Sequence, residues 1–254
     1  MRRLAVSNQK GGSAKTTTAV NLAAALAEGK RRVLVIDLDP QGNTTSWLGL
    51  GRPEKGVFDL LTGTAPISTL IQSTAVAGVS CVAATPELSG VERGLAREVG
   101  AETVLRRRLA DLAGDWDYLM IDTPPTLGML TLNALAAAEE LIVPVEAHVL
   151  ALAGVAQLLD TVRMINERLN PGLTIAGILA CRVDVRTRHS SDVAKSLRKT
   201  FGDKMYEVAI RENVRLAEAP SFHQPITVYA PQSSGAADYR TLAREVIAQE
   251  QTGP

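Results

Sequence analysis

The sequence predicts an α/β protein, a doubly wound and mainly parallel sheet with helices on both faces. Two observations carry this expectation. Short apolar runs alternate with stretches of helical periodicity from one end of the chain to the other, the pattern of strands joined by helical crossovers. The run at residues 32–37, R-V-L-V-I-D, is apolar throughout rather than alternating, as a strand covered on both faces requires. No internal repeat, low-complexity linker or shift of composition interrupts the pattern. Residues 1–254 are therefore expected to form one domain.

The composition is 46% hydrophobic and 21% charged over 254 residues, enough for a sizeable core. Aromatics supply only 4%, so Ala, Val, Leu and Ile must fill that core. No apolar run reaches the length of a membrane span. Met1-Arg2-Arg3 leads directly into the first strand, which argues against a signal peptide. Cys81 and Cys181 fall in separate predicted strands and read as two buried thiols of a reduced, cytoplasmic protein. His148, His189 and His223 show no spacing that converges on a metal. Basic and acidic residues number 27 each, so any nucleic-acid binding would have to come from a local patch.

Residues 4–6 read as the first strand and residues 19–27 as the first helix, with apolar positions at helical spacing. Between them lies N-Q-K-G-G-S-A-K-T-T-T, Asn8 to Thr18. A strand, a glycine-bearing loop and a helix opening on Lys15-Thr16 is the layout of a phosphate-binding loop. Small residues let successive N–H groups face one concavity, the helix N-terminus adds partial positive charge, and a lysine adds a full one. The generic pattern G-x-x-x-x-G-K-[ST] fails at both glycines, because Gln9 and Ala14 stand in their places. Gly11 and Gly12 lie inside the loop instead, after a second lysine, Lys10.

The strand at 32–37 runs into D-L-D-P-Q-G-N, where Asp37 and Asp39 leave the carboxyl edge at which open α/β sheets bind ligands. Residues 44–73 are broken by glycines and carry no assigned chemistry. A strand at 79–84 and a charged helix at 91–113 follow. Residues 117–125, D-Y-L-M-I-D-T-P-P, place Asp122 at the end of an apolar run, where it can support a Mg²⁺ shell. A helix at 130–138, a strand at 140–145, an amphipathic helix at 150–169 and a strand at 173–183 complete the alternation. Between Arg182 and Arg215 nine basic residues stand against five acids, a positive stretch in a neutral protein.

The K-G-G-x-x-K-T-T loop resembles the deviant Walker A motif of the ParA/MinD family of dimeric ATPases. D-L-D-P-Q-G-N and D-T-P-P-T-L-G resemble its two switches, and residues 210–236 are similar to the last third of Soj-type ParA proteins. The resemblance covers nearly the full length. It implies ATP and Mg²⁺ as cofactors, with Lys15 on the β- and γ-phosphates, Thr16 as a Mg²⁺ ligand, and Gly11, Gly12, Ser13, Ala14 and Thr17 cradling phosphates. It implies that Lys10 reaches the partner's nucleotide in an ATP-bound homodimer, that Asp39 orients the attacking water near Mg²⁺, and that Asp122 supports the metal. It places adenine contacts around Arg211 and Asn213, and nonspecific DNA contacts at Arg186 and Arg215. The implied biology is chromosome or plasmid partition on the nucleoid, with hydrolysis that is weak alone and stimulated by a ParB-type partner.

Three positions depart from the family pattern: Ala14 replaces a glycine, Arg211 a proline, and His223 a glycine. A left-handed backbone at Ala14 would cost roughly 1–2 kcal/mol, so a negative φ is expected there. The alternative, a MinD-like membrane-associated cell-division regulator, calls for a basic amphipathic C-terminal helix with large apolar residues. Residues 239–254 carry Glu245 and Glu250 and no aromatic after Tyr239, so no membrane partner is expected. An iron–sulfur carrier would need clustered cysteines. A sequence-specific repressor would need a helix-turn-helix ahead of Lys10.

Overall fold

The computed structural model describes residues 1–146, 151–184 and 186–251. His148, Val185 and the expected helix start at Leu150 lie outside the described residues. Seven strands form one sheet: β1 Arg2–Val6, β2 Val33–Asp37, β3 Ile71–Ser73, β4 Val79–Val82, β5 Tyr118–Asp122, β6 Glu140–Glu146 and β7 Thr174–Cys181. The helices are α1 Lys15–Glu28, α2 Asn43–Trp47, α3 Val57–Thr62, α4 Ile67–Leu70, α5 Val91–Gly94, α6 Val104–Arg108, α7 Met129–Ala137, α8 Ala151–Arg168, α9 Arg188–Phe201, α10 Val214–Glu218, α11 Ile226–Tyr229 and α12 Ser234–Ala248.

The strand order is β3-β4-β2-β5-β1-β6-β7, and every pairing is parallel except that of the edge strand β3 with β4. The predicted fold class is the observed one. Alternation along each strand explains why both faces carry helices. Val33 and Val35 of β2 and Tyr118 and Met120 of β5 join the core under α1 and α12. Leu34, Ile36, Leu119 and Ile121 join the opposite core with α3, α6 and α7. A third cluster, with Ile178 and Ala180 of β7, packs against α8 and α9. Few aromatics are needed because Ala19, Ala23 and Ala24 of α1 let Ala236 and Ala243 of α12 share one tightly packed layer. Both cysteines are buried, as their strand positions predict.

One expectation is corrected. Residues 91–113 are not one helix but α5 and α6 with 3₁₀ turns at Ala101–Thr103 and Leu109–Asp111. Gly100, in the left-handed conformation at φ +66°, stops any helix running through. Residues 44–73, broken by glycines, include β3, a three-residue strand defined by its antiparallel pairing with β4.

What positions the site is the register. Val6 of β1 and Asp37 of β2 both stand opposite Asp122 of β5. The two loops that follow β1 and β2 therefore leave the sheet beside one carboxylate, where the strand order reverses direction.

Candidate active site

The loop between β1 and α1 is built by its own polar side chains. Asn8 donates from Nδ2 to the Pro144 carbonyl at 2.8 Å, and its Oδ1 accepts from the Lys10 N–H at 3.0 Å. That anchors the loop to β6 and turns it. Gly12 lies at φ +74°, and a Cβ at Gly11 or Gly12 would meet nothing within 4 Å, so the glycines face open space. Ala14, the N-cap of α1, adopts φ +68° and ψ +28°. The negative φ expected there is wrong. Ala14 enters α1 through the left-handed turn for which glycine is suited, and its carbonyl accepts from the Thr18 N–H at 2.8 Å.

Lys15 is buried, and its Nζ donates to the Lys10 carbonyl at 3.2 Å. Burial lowers its pKa, opposed by the carboxylates of Asp122 and Asp39, so an anion in the loop would be strongly favoured. Thr16 donates from its hydroxyl to Asp122 Oδ2 at 2.8 Å, and Thr44 of α2 donates to the same oxygen at 2.7 Å. Asp122 Oδ1 is buried with no hydrogen-bond partner among the described residues. Asp37, one strand away, accepts from the Thr45 N–H and hydroxyl at 2.8 and 2.7 Å and from the Asp39 N–H at 3.1 Å. Burial, followed by the Asp122 charge, pushes the Asp37 carboxyl well above the usual range. Burial likewise raises Asp122. Asp39 is itself nearly buried and accepts from the Gln41 N–H at 3.0 Å, which folds its loop back.

These residues suit a nucleotide and a hard cation. Among the described residues no group of three or more His, Cys, Asp or Glu gathers to hold a metal. Thr16 and Asp122 instead offer oxygen donors with one carboxylate oxygen unsatisfied. That fits Mg²⁺, which takes one or two carboxylates and completes its shell with phosphate and water. A cleft of about 970 Å³ opens beside Thr16, and its wall includes Gly11 to Thr17, Asp39, Arg186, Arg211 and Asn213.

Lys10 forms an ion pair with Glu146 at 3.3 Å, and Arg182 pairs with the other oxygen of Glu146 at 3.3 Å. Arg211 and Asn213 line the cleft, but their side chains already serve the fold. Arg211 donates from Nε, Nη2 and its own backbone N–H to the largely buried Asp238, the last at 3.0 Å. A proline there could not make that backbone bond. Asn213 caps α10 and donates to Ser234 Oγ at 2.7 Å. The Val183–Arg211 bridge joins the end of β7 to the segment before α10, so Arg186 and Arg215 emerge from paired chains. Arg186 is 81% exposed beside Asp184, and Arg215 is 63% exposed beside Glu218. His223 sits at φ +53°, which explains a glycine preference at that position, and its Nδ1 lies 2.7 Å from the Ser46 carbonyl oxygen.

Sequence reasoning noted Asp37 without giving it a role and missed Thr44 and Thr45. The signal available was a threonine pair directly after D-x-D-P-Q-G-N.

A family model described as an AAA domain matches residues 1–175. The fold and the loop therefore define a P-loop ATPase. The Chromosome-partitioning ATPase Soj of Thermus thermophilus is 50% identical over 251 residues, covering 99% of this chain and 97% of that one. The Sporulation initiation inhibitor protein Soj of Bacillus subtilis is 44% identical over 247 residues, covering 96% and 98%. A solved structure of cobyrinic acid a,c-diamide synthase from Mycobacterium smegmatis, with bound ATP analogue and magnesium, has TM-score 0.87 at 37% identity over 100% and 97% of the two chains. The cell division ATPase MinD of Pyrococcus furiosus shares the fold, with TM-score 0.83 at 23% identity over 98% and 99%. The chain belongs to the Soj/ParA family of ATPases, and the resemblance read from its motifs is borne out.

Proposed function

We propose that this chain is a partition ATPase, a single P-loop ATPase domain that dimerises around ATP, binds DNA without sequence preference and lets go after hydrolysis. ATP is the nucleotide and Mg²⁺ its cation. The observation that carries the nucleotide reading is the arrangement of Lys15, Thr16 and an under-satisfied, buried Asp122 below a glycine loop. Near-full-length identity to partition ATPases supports the biological role.

Lys15 and the N–H groups from Gly11 to Thr17 bind and orient the phosphates, where a low-dielectric floor strengthens each contact. Thr16 and Asp122 would hold Mg²⁺, which supplies charge neutralisation on the phosphate oxygens. Asp39 orients water for in-line attack on the γ-phosphorus. Lys10 leaves Glu146 to reach the partner's nucleotide, and its release costs little because ion pairs this exposed contribute little. Such trans cations are worth on the order of 10³–10⁵ in rate. Arg211 and Asn213 border the adenine with the side of the cleft they brace. Arg186 and Arg215 contact DNA phosphates, and a ParB-type partner stimulates hydrolysis on the nucleoid.

The membrane-bound alternative is less well supported. The apolar face of α12, Tyr239, Leu242, Ala243 and Val246, is spent on the core and leaves no amphipathic anchor there. The name of the 37%-identical M. smegmatis structure points to amide synthesis, but the partition ATPases stand closer in sequence. The test is a gel shift on random-sequence DNA with ATP, ADP or no nucleotide. Binding with ATP alone is expected. Liposome binding with indifference to DNA would replace this reading with a membrane-bound regulator.

A further inference from the structure

The geometry points to Thr44 as a positioning residue for the metal shell, acting through Asp122 and coupling it to the Asp39 loop. This rests on the Mg²⁺-ATP reading above. Thr16 and Thr44 donate to one oxygen, Asp122 Oδ2, at 2.8 and 2.7 Å, while Oδ1 has no partner among the described residues. Two charge-assisted donors on the same oxygen fix which carboxylate oxygen is occupied and which keeps its lone pairs for a cation. A single donor would leave the carboxylate free to turn.

Burial separates the roles of the two hydroxyls. Thr16 lines the cleft, where a cation can reach it. Thr44 is 0% exposed, whereas its neighbour Asn43 lines the cleft. Thr44 therefore acts through Asp122 rather than on the ligand.

The coupling follows from the chain. Asp39 to Asn43 is a short loop pinned at both ends. At its start the Asp39 N–H donates to Asp37 Oδ1 at 3.1 Å. At its end Thr44 holds Asp122, and Thr45 holds Asp37 through N–H and hydroxyl. Consecutive threonines thus engage the two facing carboxylates of β5 and β2. The loop that carries Asp39 is therefore tied, through Thr44, to the carboxylate assigned to the metal.

The experiment measures binding of a fluorescent ATP analogue against Mg²⁺ concentration, and again in EDTA, for wild type, Thr44→Val and Thr44→Ser. Valine keeps the shape and removes the hydroxyl. We expect Thr44→Val to raise the half-saturating Mg²⁺ about tenfold, with EDTA affinity within about twofold and Thr44→Ser close to wild type. Hydrolysis should follow with a loss in kcat larger than the change in KM. Unchanged Mg²⁺ dependence in Thr44→Val overturns the inference. So does an equal loss of EDTA affinity in both variants, which would mark a packing role. Wild type that binds the analogue without regard to Mg²⁺ would instead overturn the underlying Mg²⁺-ATP reading.

Discussion

Ala14 holds a left-handed backbone at φ +68°, where its Cβ crowds the following carbonyl oxygen. Relief of that crowding should exceed the entropy that glycine loses on folding. Ala14→Gly should stabilise the chain by about 1 kcal/mol, raising Tm by about 2–4 °C in a thermal melt. An unchanged or lower Tm would mean the loop imposes no strain. Lys15 and Asp39 separate binding from chemistry at the same scale. Lys15→Ala removes the buried ammonium and should abolish ATP binding in calorimetry. Asp39→Ala should bind ATP and accumulate as a dimer on size exclusion while hydrolysis stops. A monomer with ATP would show that Asp39 shapes the loop, through its bond to the Gln41 N–H, more than it orients water.

The long elements were legible from their apolar patterns: β1, β2, β5, β6 and β7 and the helices α1, α7 and α8 bury the apolar positions that predict them. Short elements were not. β3 exists because β4 pairs with it, and α2 because Asp122 and Asp37 hold its threonines, and neither cause is local in sequence. The loop residues were legible because glycine, lysine and threonine at fixed spacing have few other uses. The carboxylate network was not, because register sets Asp37 opposite Asp122. Arg211 belongs to this scale. It ties the segment before α10 to α12 through Asp238, whose side chain is 8% exposed. Arg211→Ala leaves that carboxylate with the backbone N–H as its remaining partner in this group, and should cost about 1–2 kcal/mol in denaturant unfolding. Should stability hold while ATP affinity falls, the guanidinium serves the nucleotide rather than the fold.

At the scale of the whole molecule, a chain of zero formal charge can bind DNA only through a patch, and dimerisation doubles whatever patch one protomer presents. Arg186 and Arg215 leave adjoining, bridged segments by the cleft, paired with Asp184, 22% exposed, and Glu218, 39% exposed, and a DNA phosphate would have to compete with these acids for them. One phosphate contact from each arginine would give two per protomer and four in an ATP-bound dimer. The most direct measurement is therefore the salt dependence of binding to random-sequence DNA, with ATP, for wild type and for the Arg186→Ala, Arg215→Ala double variant. The account predicts that wild-type affinity falls steeply with salt and that the double variant, still dimeric with ATP, loses about 3.6 from the slope of log affinity against log salt, equally on unrelated sequences. A double variant with the wild-type slope would contradict it.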